Sequence, residues 1–248
     1  MAKCRFTVEF NVQGSLLEAT RQCELDVLRS WYGDTQELID QAYDRYTPET
    51  VFLAVRDPAG EVVGFCRMLR PGANELLTLH ELAKPPWNTD VDRMRRDVGL
   101  DPSRTLDLIT MGVRRELGAA GGVAAAAFYY GVLAASRVND CLWVMGLLDS
   151  RVHRLLRHRG LYLHPLPRTQ PMPYMGSPST TPVFGKVVDL LRAQQAWTQS
   201  GDGLIRVGEE GHEVAVPTDR SFWLPTTDQD RVIVLPDTGL RSAASPVT

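Results

Sequence analysis

The sequence predicts an α/β fold, a central mixed sheet flanked by helices on both faces, followed by a C-terminal extension. Three observations predict it. Two helix-like segments lead into an apolar hairpin in the front half. Residues 105–166 then alternate strand, helix, strand, helix, strand, the order that gives a parallel pair joined by a crossover helix. After Ser200 the composition shifts to short β-like pieces and a loose end, RSAASPVT. The expected division is therefore a domain over 1–199 and an extension over 200–248.

Phe6, Val8, Phe10 and Val12 alternate with polar residues and read as a strand. Ser15 and Glu18 match a capping box, ahead of Leu16, Thr20, Cys23, Val27 and Trp31 at helical spacing. Residues 34–44 read as a second helix ending near Tyr43. Val51 to Arg56 and Glu61 to Leu69 are strands around the turn Asp57-Pro58-Ala59-Gly60, an antiparallel hairpin. Residues 71–100, with Pro85, Pro86 and Trp87, are too long for a plain loop, so short helices or a lid over a site are expected.

Thr105 to Val113 reads as a strand and Val123 to Ser136 as a helix of small and aromatic residues. Cys141 to Leu148 is apolar throughout, as in a strand covered on both faces. Asp149 or Ser150 caps a helix whose buried stripe is Val152, Leu155 and Leu156. Its other face carries Arg151, His153, Arg154, Arg157 and His158; Gly160 ends it, and Leu161 to Leu166 resumes as strand. The proline-rich stretch 165–182 reads as loop. Phe184, Val187, Val188 and Leu191 mark a last helix reaching Trp197, and 203–207 and 231–235 are short β-like pieces.

The chain has 248 residues, enough for one large core, with 44% hydrophobic and 23% charged residues. A net charge of −3 gives no field that would draw the whole chain to nucleic acid or membrane. Cys4, Cys23, Cys66 and Cys141 are scattered without metal-ligand spacing, so buried free thiols and no metal are expected. No stretch reaches the roughly 18 apolar residues of a membrane helix, and no signal peptide is visible at MAKCRF. The expected location is cytoplasmic.

The stretch LDLITMGVRRELGAAGG, Leu106 to Gly122, carries the first functional expectation. A strand that runs through Arg114 and Arg115 into a glycine-rich turn and a helix start leaves backbone N–H groups free. With the helix dipole, they suit phosphate or pyrophosphate.

Four stretches resemble the GNAT acyltransferase superfamily, in the branch of acyl-homoserine-lactone synthases, N-acyl amino acid synthases and exosortase-associated acyltransferases. Tyr43-Asp44 is similar to the end of the synthases' acidic motif, of which two acidic positions fall here on Ile39 and Gln41. GEVVGFCRMLRP, Gly60 to Pro71, resembles the family's hairpin strand, with Gly64 and Arg67 in register. LDLITMGV resembles the central-strand motif, with Asp107 at its acidic position and Thr110 in place of its arginine. MPYMGSPSTTPVFGK resembles the late loop of the exosortase-associated branch. The superfamily's donor signature falls on Arg115, Gly118 and Ala120 and runs into the Gly118 to Gly122 turn that includes Gly121.

The resemblance implies an N-acyltransferase that moves an acyl group from coenzyme A or an acyl carrier protein to the amine of an amino acid or related small metabolite. It implies no tightly bound cofactor, with the acyl thioester as co-substrate. Such a transfer needs a base for the amine, stabilisation of the thioester oxygen and a proton for the leaving thiolate. Asp107 is the first candidate base, and His80 and Glu81 in the insert are the second. Arg67 is expected to pair with Asp107 or Asp44, or to grip an acceptor carboxylate. Met111 and Val113 N–H groups are the oxyanion donors the resemblance implies. The tyrosine acid common in the superfamily falls on Leu156, which leaves His153, His158 or water. Arg93, Arg95 and Arg96, and Arg151, Arg154, Arg157 and Arg159, are either solvated faces or docks for an acidic carrier protein or coenzyme A phosphates. Two other readings stand beside this one. One is transfer from aminoacyl-tRNA, with the basic helix meeting RNA; the other is a non-catalytic acyl-thioester sensor.

Overall fold

Alternation in the first segment builds β1 (Phe6–Phe10), with Phe6, Val8 and Phe10 buried. The structure is a computed structural model and describes residues 6–118, 120–158, 161–199 and 214–215. Helix α1 (Gly14–Tyr32) follows and is ended by Gly33 in the left-handed region. It starts ahead of the expected capping box. Gln13 is the N-cap, no side chain caps the first turn, and Ser15 lies inside the helix. Trp31, expected on the buried stripe, is 45% exposed. Helix α2 (Gln36–Tyr43) is capped by the Thr35 hydroxyl, which accepts from the Leu38 N–H.

The hairpin forms as expected, from β2 (Thr50–Arg56) and β3 (Val62–Leu69), with every residue of β3 buried. The insert holds α3 (Leu77–Leu82) and α4 (Val91–Val98), which enclose a small core of Leu76, Leu82, Met94 and Leu100 against Trp143 and Met145. Then come β4 (Thr105–Val113), α5 (Ala120–Val138), β5 (Trp143–Asp149) and α6 (Ser150–His158). The expected strand at Leu161 to Leu166 reduces to β6 (His164–Pro165).

The expected loop at 165–182 is instead largely a hairpin, β7 (Met172–Tyr174) and β8 (Ser177–Lys186). Phe184, read as the start of the last helix, lies in β8; α7 (Val187–Gln199) begins after it. Prolines argue against an interior strand because they lack an N–H. The fold accommodates Pro182 because its carbonyl accepts from Leu166 N on the β6 side. The side of Pro182 that lacks a donor therefore faces the gap between β7, which pairs up to Thr180, and β6, which starts at Val183.

The strands form one sheet in the order β6-β8-β5-β4-β3-β2-β1-β9, with β7 beside β8. The last strand, β9 (Val214–Ala215), lies parallel to β1. The sheet is mixed, since β4 and β5 are parallel while β1 to β4 and β5 to β8 pair antiparallel. Helices α5 and α7 cover one face through a core that includes Tyr129, Leu133 and Leu190; α1 and α2 cover the other through Cys23, Val27, Leu28 and Ile39. Cys23, Cys66 and Cys141 are buried free thiols, as expected. The pieces at 203–207 and 231–235, and Arg159, lie outside the described residues. No described helix is long and apolar enough to cross a membrane.

Candidate active site

The central feature is the place where β4 and β5 part. They pair from Thr105↔Trp143 to Leu108↔Gly146 and no further, although β4 continues to Val113 and β5 to Asp149. Two local features coincide with the parting. Gly146 is the last paired residue of β5, and a Cβ there would come within 2.8 Å of the Leu108 carbonyl oxygen. On β4 the register against β3 slips between Leu108 and Thr110, so Ile109 is an extra residue. A bulge of this kind bends a strand and re-aims its side chains.

The parting leaves an edge of β4 without a partner strand. Arg114 N–H donates to Val63 O on β3 at 2.8 Å. Strand alternation therefore turns the N–H groups of Val113 and Met111 the other way, into the wedge. Two cavities fill the wedge. The larger, about 500 Å³, runs from Met111 to Val113 past Arg114, Arg115 and Gly118 to Gly121 and Gly122 in the first turn of α5. Trp31, Arg151 and Leu155 form its outer wall. The smaller, about 80 Å³, lies between Ile109, Thr110 and Met111 on β4 and Leu147, Leu148 and Asp149 on β5. Leu28, Tyr32, Met111 and Val152 line both, so the two meet at the end of α1.

The large cavity has a cationic mouth. The guanidinium groups of Arg115 and Arg151 lie 5.1 and 5.3 Å from the Trp31 ring centre. Arg114 is held by Asp26 at 2.9 Å and donates from Nε to Val62 O. Ala120 opens α5 and packs on the core rather than lining the cavity. The sequence therefore placed the two arginines and the glycine turn at one end of one cavity. It missed the aromatic wall of Trp31, Tyr32 and Tyr129.

The small cavity is lined by Asp34, Asp149 and the tyrosines Tyr32, Tyr43 and Tyr174. Asp149 accepts from Arg151 N and Nε and from the Ser177 hydroxyl. Burial pushes its carboxyl up, but these donors outweigh burial and hold it below the usual range. Asp34 is 6% exposed, and burial raises its carboxyl above the usual range. No described donor meets it. The β7–β8 turn closes over it at Gly176 (φ 68°), where a Cβ would sit 3.1 Å from the Tyr32 carbonyl oxygen.

Arg67 does not pair with Asp107 or Asp44. It is opposite Thr110 in the β3–β4 register, and its guanidinium meets the Glu24 carboxylate of α1 at 2.5 and 3.0 Å. Tyr43 and Phe52 rings lie 4.9 and 4.8 Å from that guanidinium, and the Thr110 hydroxyl also donates to Glu24. Glu24 is 1% exposed. It was readable only as a carboxylate on the stripe Thr20, Glu24, Leu28, where i, i+4 spacing puts it on the buried face.

Asp107 is fully buried and lines neither cavity of the wedge. Its two oxygens accept from Thr78, the backbone N–H at 2.8 Å and the hydroxyl at 2.6 Å. It therefore ties α3 to β4. Burial pushes its carboxyl to about 6 against the partial relief of those bonds. The folded state then holds a proton that the unfolded chain releases at its ordinary value of 3.8. The resulting stabilisation is full below about pH 4 and lost as pH rises through about 6, on the order of 3 kcal/mol. Asp107→Asn should remove that slope from denaturant unfolding measured between pH 4 and 7. Parallel profiles for the two proteins would contradict it.

His80 and Glu81 lie outside both cavities. His80 Nδ1 is 2.5 Å from Glu75 Oε1, and Glu81 is 3.5 Å from Lys84. His153 Nε2 contacts the Leu163 carbonyl oxygen, and Leu156 is buried in the core. Arg93 and Arg96 form an exposed face of α4, while Arg95 meets Asp92 on the same helix. Among the described residues no group of His, Cys, Asp or Glu could hold a metal.

No family model and no curated protein matches the chain. Solved structures do share its fold. The N-acyl amino acid synthase FeeM, from uncultured soil microbes, aligns over 77% of this chain and 94% of its own, with TM-score 0.55 and 12% identity. The AHL synthase LasI aligns over 73% and 90%, with TM-score 0.54 and 11% identity. The CoA-dependent acyl-homoserine lactone synthase BjaI, solved with SAM and isopentyl-CoA, aligns over 88% and 95%, with TM-score 0.50 and 14% identity. The chain thus has the fold of these synthases.

Proposed function

We propose that the protein is an acyltransferase that carries an acyl group from a thioester donor to the amine of a small molecule. One observation carries this reading, the parting of β4 from β5 beyond Leu108 and Gly146. The free edge of β4 suits a pantetheine chain, whose amides can pair with it as a further strand. The phosphate end of the donor would then reach Arg114, Arg115, Gly118, Gly121, Gly122 and the start of α5, where the helix dipole favours an anion. The thioester carbonyl would lie near Met111, the β4 residue that lines both cavities, with Met111 and Val113 N–H groups as donors to the developing oxyanion.

Direct attack by the amine fits the thiols of this chain. Burial pushes Cys23 and Cys141 up to about 12 and raises Cys66 as well, so none offers a thiolate. Tyr32 stands where the cavities meet. Burial, and then Asp149, raise its phenol, so it stays protonated and can give a proton to the departing thiolate. Asp107 in this reading positions α3 and β4 and does not touch substrate.

The test is thiol release from acyl-coenzyme A and from an acyl carrier protein in the presence of amines. Arg154 and Arg157 are exposed on α6, beside Leu155 at the cavity mouth. Reversing both charges should raise KM for the acidic carrier protein severalfold and leave that for acyl-coenzyme A nearly unchanged. Equal effects on both donors, or none, would remove carrier docking on α6. Absence of thiol release from either donor would remove the acyltransferase reading.

A further inference from the structure

The structure assigns the small cavity of the wedge to a cationic amine, with Asp34 as the group that receives its ammonium. The assignment rests on the acyltransferase reading only for what happens next, since binding of the amine stands on the cavity alone. The lining contains no Lys, Arg or His. The nearest guanidinium groups are engaged elsewhere: Arg67 with Glu24, and Arg151 with Asp149. Asp149 is thereby compensated, while Asp34 is a largely buried residue with no described donor, whose carboxylate oxygens still reach the cavity. An unpaired carboxylate so placed lacks a positive charge, and a ligand ammonium supplies one.

The remaining lining suits that cation. Tyr32, Tyr43 and Tyr174 give aromatic walls, and tyrosine faces attract ammonium groups. A volume of about 80 Å³ admits the aminomethyl end of a chain. An acceptor carboxylate would find two carboxylates and no cationic side chain, with only hydroxyls and phenols as side-chain donors. An α-amino acid is therefore a poorer fit than a plain alkylamine or diamine.

Under the acyltransferase reading, Asp34 also starts the chemistry. One proton of the ammonium passes to the Asp34 carboxylate, which frees the nitrogen lone pair. The nitrogen attacks the thioester carbonyl, and the C–N bond forms. The C–S bond then breaks, the nitrogen loses its second proton, and the thiolate is protonated to thiol. Asp34 returns its proton to solvent. Burial above the usual range makes this carboxylate a better proton acceptor than an exposed one. The titratable groups facing it are Tyr32 from α1, Tyr43 from α2, Asp149 from β5 and Tyr174 from β7.

The experiment uses the full chain and three probes: butylamine, 1,4-diaminobutane and the α-amino acid norvaline. Calorimetry should show saturable binding of the two amines, weaker binding of norvaline, and a loss of at least about tenfold in amine affinity in Asp34→Asn, which keeps the side-chain shape. In the transfer assay at pH 7 the same variant should lose roughly 10²–10⁴ in kcat with butylamine. Part of the loss should return as pH approaches the amine's own value of about 10, where the nucleophile arrives neutral. Hydroxylamine, already neutral at pH 7, should lose much less rate than butylamine does in Asp34→Asn, because the proton that Asp34 would take is already gone. Amine binding unchanged in Asp34→Asn, or tighter binding of norvaline, would overturn the cation site. Failure of the wild-type protein to release thiol to butylamine or hydroxylamine faster than the protein-free reaction would instead overturn the acyltransferase reading and leave the binding result to stand.

Discussion

Truncation of either partner of the Arg67–Glu24 pair should destabilise the protein by about 3–5 kcal/mol, the usual result of stranding one charge of a buried pair. Both side chains are almost fully buried, at 8% and 1% exposure. In Glu24→Ala the guanidinium stays between the Tyr43 and Phe52 rings with no carboxylate, and the Thr110 hydroxyl loses its acceptor. In Arg67→Ala the carboxylate keeps only that hydroxyl. Replacing both with apolar residues, Glu24→Leu with Arg67→Met, should recover most of the loss, because the desolvation of both charges is then removed as well. Denaturant unfolding of the two single variants and the double variant gives the coupling directly. Single variants within 1 kcal/mol of the parent would show that the pair is solvated and not a structural clasp. The pair holds α1 against β3 and β4, so it sets the positions of Leu28 and Tyr32 where the cavities meet.

Gly121→Asp should reduce donor affinity by at least about 100-fold while the fold survives. A Cβ at Gly121 meets only Leu117 Cβ at 3.6 Å and Val113 Cγ2 at 3.8 Å, which are ordinary contacts. An acidic residue in the first turn of a helix is also mildly favoured by the helix dipole. The new carboxylate would enter the cavity at the end proposed for phosphate, where like charges cost several kcal/mol. Gly121→Ala, which adds the Cβ without the charge, should bind nearly as the parent does. Calorimetry with coenzyme A, together with far-ultraviolet circular dichroism, separates lost binding from lost fold. A folded Gly121→Asp protein with unchanged affinity would move the phosphate site away from α5.

Local pattern made much of this molecule legible. The strand 105–113 was readable to its end residues because an apolar run is bounded by Asp101-Pro102 and by Arg114-Arg115. The glycine turn and helix start after it were readable because backbone chemistry there is local. The hairpin β7–β8 was not, since its prolines resemble loop and only the gap between two partner strands makes Pro182 acceptable. The parting of β4 and β5 was not legible either. It depends on how far a parallel register extends, which involves residues nearly forty positions apart.

The same division runs through the site. Arg67 stands out in the sequence, but its local pattern points to Asp107 and Asp44 as partners, because the spacing of α1 shows itself through its apolar residues. Glu24 sits on that helix as the exception that the stripe should have flagged. Asp34 follows a helix-ending glycine and precedes an N-cap threonine, a position where Asp ordinarily serves a turn. Nothing local distinguishes it from a solvated turn residue; its burial comes from β7, β8 and Gly176, more than a hundred positions away.

The central claim is that the unpaired edge of β4 holds the donor. Nuclear magnetic resonance titration of the amide-labelled protein with a non-transferable thioether analogue of acyl-coenzyme A, and with the same analogue on a carrier protein, tests it most directly. The Met111 and Val113 amides should shift as they acquire acceptors and should exchange more slowly with solvent, with Gly121 and Gly122 shifting alongside them. Saturable binding that leaves Met111 and Val113 unchanged, or no binding of either analogue, would contradict the account.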